Sequence, residues 1–216
     1  ELARLGFGGR FAIMLSTGGV AAPATARAFP IRLLESGPAA GALAGTAVGE
    51  QVNLRDLLAF DMGGTTAKAC LIEDGQPHVG HGFEAARVNR FTRGSGLPVA
   101  VPSVELIEIG AGGGSIAWRD ALGLLQVGPQ SAAADPGPAC YALGGDQPTV
   151  TDANLLLGYL APDFFLGGRM RLDRDLAAAV VGQLATSLGM ELIGCSWGIH
   201  QVVNEHMAAA TRMHII

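Results

Sequence analysis

The chain has 216 residues, of which 49% are hydrophobic and 15% charged, and its mean hydropathy is +0.35. This composition is sufficient for a substantial hydrophobic core. The formal net charge of −5 excludes the basic surface that neutralises nucleic-acid phosphates, so no nucleic-acid partner is expected. No run approaches the ~18 consecutive apolar residues of a membrane span, so no membrane partner is expected either.

The cysteines Cys70, Cys140 and Cys195 are odd in number, far apart and without CxxC spacing. This pattern indicates neither a disulfide framework nor a zinc site, and a reducing cytoplasm is the expected compartment. The chain starts at Glu1 and stops at Ile216 within a helical pattern. We therefore expect a single domain over 1–216 that is a fragment of a longer polypeptide.

The first half of the chain is predicted to form strands around one helix. Strands are predicted over 10–15, 29–34, 57–60 and 67–73. A closely packed helix of small residues is predicted over 39–48, with Ser36 as its cap and Pro38 at its start. The segment 79–102 has no clear period and is expected to be loop with short strands.

The second half is predicted to turn from strands to helices. A strand over 104–109 should lead into a β-hairpin formed by 115–118 and 124–127, and 129–148 should be irregular. Helices are predicted over 151–160, 173–188 and 193–213, with Thr149 or Thr151 capping the first and Gly189 ending the second. The pattern predicts an α/β fold with C-terminal helices.

The sharpest motif is a glycine turn between two strands, Asp61-Met62-Gly63-Gly64-Thr65-Thr66. Paired glycines let backbone N–H groups converge on phosphate oxygens, hydroxyls add donors, and a carboxylate can hold Mg²⁺. The alternative is a tight hairpin turn without a ligand. The two threonines favour phosphate.

A second glycine run, Gly110-Ala111-Gly112-Gly113-Gly114, ends in Ser115. Gly112, Gly113, Gly114 and Ser115 could approach a nucleotide, but such runs also occur at bulges and in tight packing. The run lacks the Gly-Lys-Ser/Thr ending of a Walker loop. It is also followed by a hairpin and not a helix, which excludes a Rossmann fingerprint.

These motifs occur in order with several others. The set comprises Met14 to Gly19, Glu35 to Gly41, Phe60 to Thr66, Gly110 to Ala117, Gly128 to Ser131, Asp135 to Tyr141, Thr149 to Asn154 and Phe165 to Met170. Together they resemble the central domain of the hydantoinase A / 5-oxoprolinase family, which includes acetone carboxylase-type subunits. The resemblance covers essentially the whole chain.

The resemblance implies a ribonuclease H-like fold with a mixed sheet, of the actin, sugar kinase and heat-shock chaperone superfamily. ATP would bind between two such halves, with Mg²⁺ and, as a further alternative, a second divalent metal. The activity implied is ATP-dependent opening of a cyclic amide through phosphate activation of its carbonyl, with a hydantoinase B-type partner subunit or domain. The first phosphate hairpin of the family lies in another domain, so this chain alone is expected to be inactive.

The resemblance also implies roles for particular residues. Asp61 would orient the metal or the attacking group, and Thr65 and Thr66 would contact the γ-phosphate. This sequence has Lys68 where many members have an acidic residue, and Lys68 would meet either a phosphate or solvent. It also has Glu105 where many members have an Asp-x-His pair, which leaves Glu105 or Glu108 as a metal ligand.

Two further residues have structural alternatives. Asp152 is a catalytic candidate, yet its place at a predicted helix start is equally typical of capping. Cys140 is more typical of a buried structural thiol than of a nucleophile. Two other functions stay open: an acetone carboxylase-like subunit that activates a carbonyl or bicarbonate, and a non-catalytic nucleotide-sensing domain.

Overall fold

The computed structural model describes residues 1–85 and 96–215. The chain forms two compact units. Unit one comprises Glu1–Asp61 and Ala69–Ile107, and unit two comprises Met62–Lys68 and Glu108–Ile216. That the whole chain behaves as one domain stays a prediction, and each unit is described by itself below.

Unit one consists mainly of short strands. The strands that lie wholly or partly in this unit are β1 (Ile13–Met14), β2 (Val20–Ala21), β3 (Leu57–Met62), β4 (Ala67–Glu73), β5 (Gln76–Pro77), β6 (Val79–Gly80), β7 (Phe83–Ala85), β8 (Leu97–Val99), β9 (Ser103–Val104) and β10 (Ile107–Ile109). The chain passes between the units within β3, β4 and β10. The largest sheet has the order β10-β4-β3, with β5 beside β4. Antiparallel pairs are formed by β1 with β2, β6 with β9, and β7 with β8.

Two helices belong to unit one, α1 (Pro23–Ala28) and α2 (Ser36–Val52). The predicted close packing of α2 is confirmed at Gly45. A Cβ atom there would lie 3.2 Å from Ala59 Cβ and 3.3 Å from Ile72 Cδ1. Small residues on α2 therefore let the helix approach β3 and β4 closely, and Ala39 and Ala42 belong to the buried core of this unit.

Three local predictions in residues 29–109 are wrong. The predicted strand over 29–34 contains a 3₁₀ helix, Pro30–Leu33, and the carbonyls of Arg32 in this helix and of Leu34 just after it accept from the buried Ser16 hydroxyl. The hydroxyl of Ser36 does not cap α2, because the helix already begins at Ser36. The predicted strand over 104–109 is divided into β9 and β10, because the two parts pair with different strands, β9 with β6 and β10 with β4.

The loop predicted over 79–102 contains the short strands β6, β7 and β8. Residues 86–95 of that segment lie outside the described part of the chain.

Unit two confirms the predicted hairpin and helices. Its strands are β11 (Ser115–Arg119) and β12 (Leu125–Ser131), which pair antiparallel with Ala117 opposite Val127. Its helices are α3 (Val150–Leu156), α4 (Arg174–Leu188) and α5 (Leu192–Ile215). Thr149 caps α3, as one of the two alternatives predicted. Gly189 ends α4 in the left-handed conformation, as predicted.

The core of unit two lies among these three helices. Leu155 of α3, Val181 of α4 and both Ile199 and Val203 of α5 are at most 1% exposed. In residues 1–85 and 96–215, no single helix is long and apolar enough to cross a membrane. Helices α4 and α5 meet such a criterion only when taken together across a 90° bend.

Candidate functional site

The glycine hairpin, residues 63–66, belongs to unit two and connects β3 to β4. The N–H of Gly63 donates to the carbonyl of Thr66 at 2.9 Å and closes the turn. Gly63, Gly64 and Thr65 are exposed, whereas Thr66 is half-buried. The tip thus presents backbone and a hydroxyl to solvent, which fits the donor set that an anion requires.

The second glycine loop, residues 110–115, is hydrogen-bonded to this hairpin. The N–H of Gly113 donates to the carbonyl of Gly63 at 3.0 Å, and that of Gly114 donates to the carbonyl of Gly64 at 2.6 Å. A Cβ atom on Gly112 would lie 2.6 Å from the Gly64 carbonyl oxygen. Glycine is needed at 112 because the two backbones approach so closely.

The remaining amides of the second loop are also engaged. The N–H of Gly112 donates to Ser115 Oγ at 2.9 Å, and the N–H of Ser115 donates to the Gly112 carbonyl at 3.0 Å. Ser115 is buried. This geometry favours the tight-packing alternative, in which the second loop supports the hairpin. Direct ligand contact by Gly112, Gly113, Gly114 and Ser115 stays a prediction.

Sequence reasoning did not single out Ser131, although it noted the segment that contains it. Ser131 ends β12, and its hydroxyl lies 3.5 Å from the Thr65 hydroxyl. The same hydroxyl accepts from the N–H of Ala133 at 3.1 Å, which fixes its orientation. Ser131 therefore places a second hydroxyl beside the exposed tip of the hairpin.

The predicted catalytic residue Asp152 is completely buried on the first turn of α3. Its carboxylate accepts from the N–H of Cys140 at 2.8 Å, the N–H of Ala139 at 3.4 Å, and both the N–H and the hydroxyl of Thr149, at 2.9 and 2.7 Å. Thr149 and Asp152 form a reciprocal capping box. The geometry favours the capping alternative, and catalysis by Asp152 stays a prediction.

The thiol of Cys140 is completely buried. Burial, together with the charge of Asp152, raises the pKa of this thiol far above its ordinary value. The pKa values of Cys70 and Cys195 are also raised by burial. All three therefore remain protonated and shielded in the folded chain, which supports the structural interpretation of Cys140.

These raised pKa values predict low thiol reactivity. We expect a thiol reagent at pH 8 to modify none of the three cysteines in the folded chain and all of them in denaturant. Rapid labelling of Cys140 in the folded chain would contradict this prediction.

The same raised pKa values predict that stability depends on pH. The free energy of unfolding, measured by urea denaturation, should fall as the pH rises above about 9, because the unfolded chain then loses thiol protons that the folded chain retains. A free energy of unfolding that stayed constant above pH 9 would contradict it.

The predicted metal ligands lie in unit one. Asp61 is exposed near the end of β3, and Glu105 is exposed between β9 and β10. Lys68 is half-buried on β4. Among the described residues, no group of three or more His, Cys, Asp or Glu side chains is placed to hold a metal ion. The metal roles of Asp61 and Glu105 and the phosphate role of Lys68 therefore stay predictions.

With this geometry in view, the family can be assigned. Residues 1–215 match the family model described as Hydantoinase/oxoprolinase. The chain belongs to the hydantoinase/oxoprolinase family. This confirms the resemblance drawn from the ordered motifs, including both glycine loops.

Members of the family with known names cover this chain over most of its length. Caprolactamase subunit alpha of Pseudomonas jessenii is 39% identical over 91% of this chain and 27% of that protein. The 5-oxoprolinase of Saccharomyces cerevisiae is 36% identical over 84% of this chain and 14% of that protein. The chain thus spans less than a third of the length of either relative.

A solved structure shows the fold. The nucleotide-free structure of acetone carboxylase matches 95% of this chain and 28% of that chain, with a TM-score of 0.77 at 27% identity. The predicted α/β fold of the actin-like superfamily is therefore confirmed, with helices at the C-terminal end.

Proposed function

We propose that this chain is the phosphate-binding part of an ATP-dependent enzyme that opens a cyclic amide of the hydantoin, 5-oxoproline or lactam type. The observation that carries the proposal is the exposed hairpin tip at Gly63, Gly64 and Thr65, held by the second glycine loop. Family members named caprolactamase and 5-oxoprolinase support the substrate class.

In this proposal the hairpin provides positioning and charge neutralisation. The backbone N–H groups of Gly64 and Thr65 and the Thr65 hydroxyl would contact the terminal phosphate, with Ser131 beside them and Thr66 below the tip, while the N–H of Gly63 closes the turn. Such preorganised donors lower a barrier without forming a covalent bond. ATP would supply the phosphoryl group that activates the amide carbonyl.

The metal part of the proposal uses carboxylates. Asp61 lies two residues before the hairpin in sequence and is exposed. Oxygen ligands of this kind suit Mg²⁺, which is commonly held by one or two carboxylates together with substrate phosphates. Glu105 is proposed as a ligand of a second divalent metal. The site is completed in the proposal by another half of the ATPase fold and by a hydantoinase B-type partner, in the cytoplasm.

A second candidate is ATP-dependent activation of a ketone carbonyl or bicarbonate. The observation that favours it is the likeness to acetone carboxylase in both fold and sequence. The two candidates use the same phosphate hairpin, so they differ in the acceptor of the phosphoryl group and not in this site.

The test is ATP turnover by the complete polypeptide with its partner subunit. We expect ADP release that depends on Mg²⁺ and on a hydantoin, 5-oxoproline or a lactam, with the ring-opened acid as the second product. Turnover that requires bicarbonate and a ketone would support the second candidate. Absence of turnover with every acceptor, despite Mg-ATP binding by calorimetry, would support a nucleotide-sensing domain instead.

Calorimetry with Mg-ATP on the 216-residue chain and on the complete polypeptide, side by side, distinguishes two kinds of nucleotide site. One is divided between this chain and the rest of the polypeptide, and the other lies wholly within this chain. We expect binding to the complete polypeptide only. Tight binding by the shorter chain would contradict the proposal that the nucleotide site is divided.

A further inference from the structure

Thr151, which no sequence motif assigned to the site, is attached to the second glycine loop through one carbonyl oxygen. Its N–H donates to the Gly113 carbonyl at 2.7 Å, and its hydroxyl donates to the same oxygen at 2.8 Å. Thr151 is only 6% exposed. Two short hydrogen bonds to this one acceptor fix the position of Gly113 relative to the start of α3.

Gly113 connects Thr151 to the hairpin through hydrogen bonds on both sides of its backbone. Its carbonyl accepts from Thr151, while its N–H donates to the carbonyl of Gly63 at 3.0 Å. Gly63 is the first residue of the hairpin and closes the turn with Thr66. A continuous path of hydrogen bonds thus runs from α3 through one glycine to the exposed tip, and all of these residues belong to unit two.

The fit at Gly113 shows that Thr151 determines which residue can stand there. A Cβ atom on Gly113 would lie 2.7 Å from Thr151 Oγ1, and the next nearest atom, the Gly63 carbonyl oxygen, would be 4.0 Å away. The backbone of Gly113 is not in the left-handed region. The threonine hydroxyl is therefore the steric reason for a glycine at this position.

We propose that Thr151 is a positioning residue for the phosphate-binding hairpin, acting through Gly113 on Gly63. This inference rests on the proposed function. Since catalysis by such a loop depends on placing its donors correctly, a displacement of a fraction of an ångström at Gly63 weakens contact with the nucleotide.

The first test is Thr151→Val, in which a methyl group replaces the hydroxyl at nearly constant shape. The variant loses one hydrogen bond and places a carbon too close to the Gly113 carbonyl, so the loop must shift. We expect the KM for ATP to rise about 10-fold in the complete polypeptide. Thr151→Ser keeps the hydroxyl and should restore the KM to within about 2-fold.

A matched control is Thr186→Val in α4, where an exposed threonine hydroxyl donates to the Gly182 carbonyl at 2.9 Å. This variant removes the same kind of hydrogen bond away from the glycine loops and should leave the KM for ATP unchanged. The Tm of every variant is measured as well, because a general loss of folding would lower the amount of active enzyme and not raise the KM.

Gly113→Ala provides a second test of the same contact. The added methyl group meets only the Thr151 hydroxyl, so this variant should also raise the KM for ATP. Thr151→Ala removes the atom that the added methyl group meets, so in the double variant the two effects should not add, and its KM for ATP should be no higher than that of Gly113→Ala alone. Fully additive effects on the KM would overturn the proposed contact.

Hydrogen exchange at the amides of residues 63–66 tests the path without a nucleotide. Exchange should accelerate in Thr151→Val and stay at the wild-type rate in Thr186→Val. Normal exchange together with a normal KM in Thr151→Val would overturn the positioning role alone. If the wild-type enzyme bound no nucleotide while Thr151→Val still accelerated exchange, the proposed function would be wrong, and with it the role assigned to Thr151.

Discussion

Asp61→Asn is expected to lower ATP-dependent turnover by about 10²–10³-fold, the usual cost of removing one preorganised electrostatic group from an active site. Asparagine keeps the shape of the side chain but lacks the charge that would hold Mg²⁺ beside the hairpin. Because Asp61 is exposed near the end of β3, the substitution should change the Tm by little. Steady-state ADP release at saturating ATP measures the effect.

The matched control for this prediction is Asp74→Asn. Asp74 is also exposed and lies in the turn between β4 and β5, where it pairs with Arg55 at 3.5 Å. Its φ of 53° is in the left-handed region, which asparagine adopts readily, and such exposed ion pairs contribute little stability. Turnover should stay at the wild-type level in this variant. Equal turnover in Asp61→Asn and Asp74→Asn would remove Asp61 from the phosphate site.

Asp152→Ala is expected to lower the free energy of unfolding by about 3–5 kcal/mol. The substitution leaves buried donors on Ala139, Cys140 and Thr149 without their acceptor, and unsatisfied buried groups are costly. It also removes half of the capping box of α3. Urea-induced unfolding of the wild-type and variant chains, followed by circular dichroism, measures the difference.

Asp173→Ala is the control that separates burial from capping. Asp173 also caps a helix, with its carboxylate accepting from the N–H groups of Asp175 and Leu176, but it is exposed. Its loss should therefore cost only about 1 kcal/mol. If Asp152→Ala instead folded with near-native stability and abolished turnover, the catalytic assignment of Asp152 would be correct and the structural one wrong.

Local chemistry in the sequence was sufficient for many elements. The apolar run over 57–60 and the glycine turn after it predicted β3, the hairpin and β4, and the apolar spacing after Asp173 predicted α4 and α5. Such patterns are local because a glycine turn or a helix cap is formed by residues a few positions apart. The 3₁₀ helix at Pro30–Leu33 was missed because the carbonyls of Arg32 in it and of Leu34 just after it are held by Ser16, a partner 16 to 18 residues away.

In the candidate site, too, the sequence indicated the local features and missed the contacts between distant residues. Residue types and their order identified both glycine loops and, through the ordered motifs, the family. The sequence could not show that the amides of Gly113 and Gly114 donate to the carbonyls of Gly63 and Gly64, because those partners are about 50 positions apart. Nor could it show that Thr151 contacts Gly113, since nothing in a threonine at a helix start indicates a distant carbonyl.

The sequence by itself determined the α/β class, the C-terminal helices, the family and the glycine hairpin at residues 63–66, because each depends on local patterns or on ordered motifs. Only the tertiary structure decided which glycines face solvent and which support the hairpin. It also decided that the carboxylate of Asp152 is enclosed by backbone donors. The physical reason is that a hydrogen bond forms only between groups that are close in space, and the fold of the whole chain determines which distant residues come close.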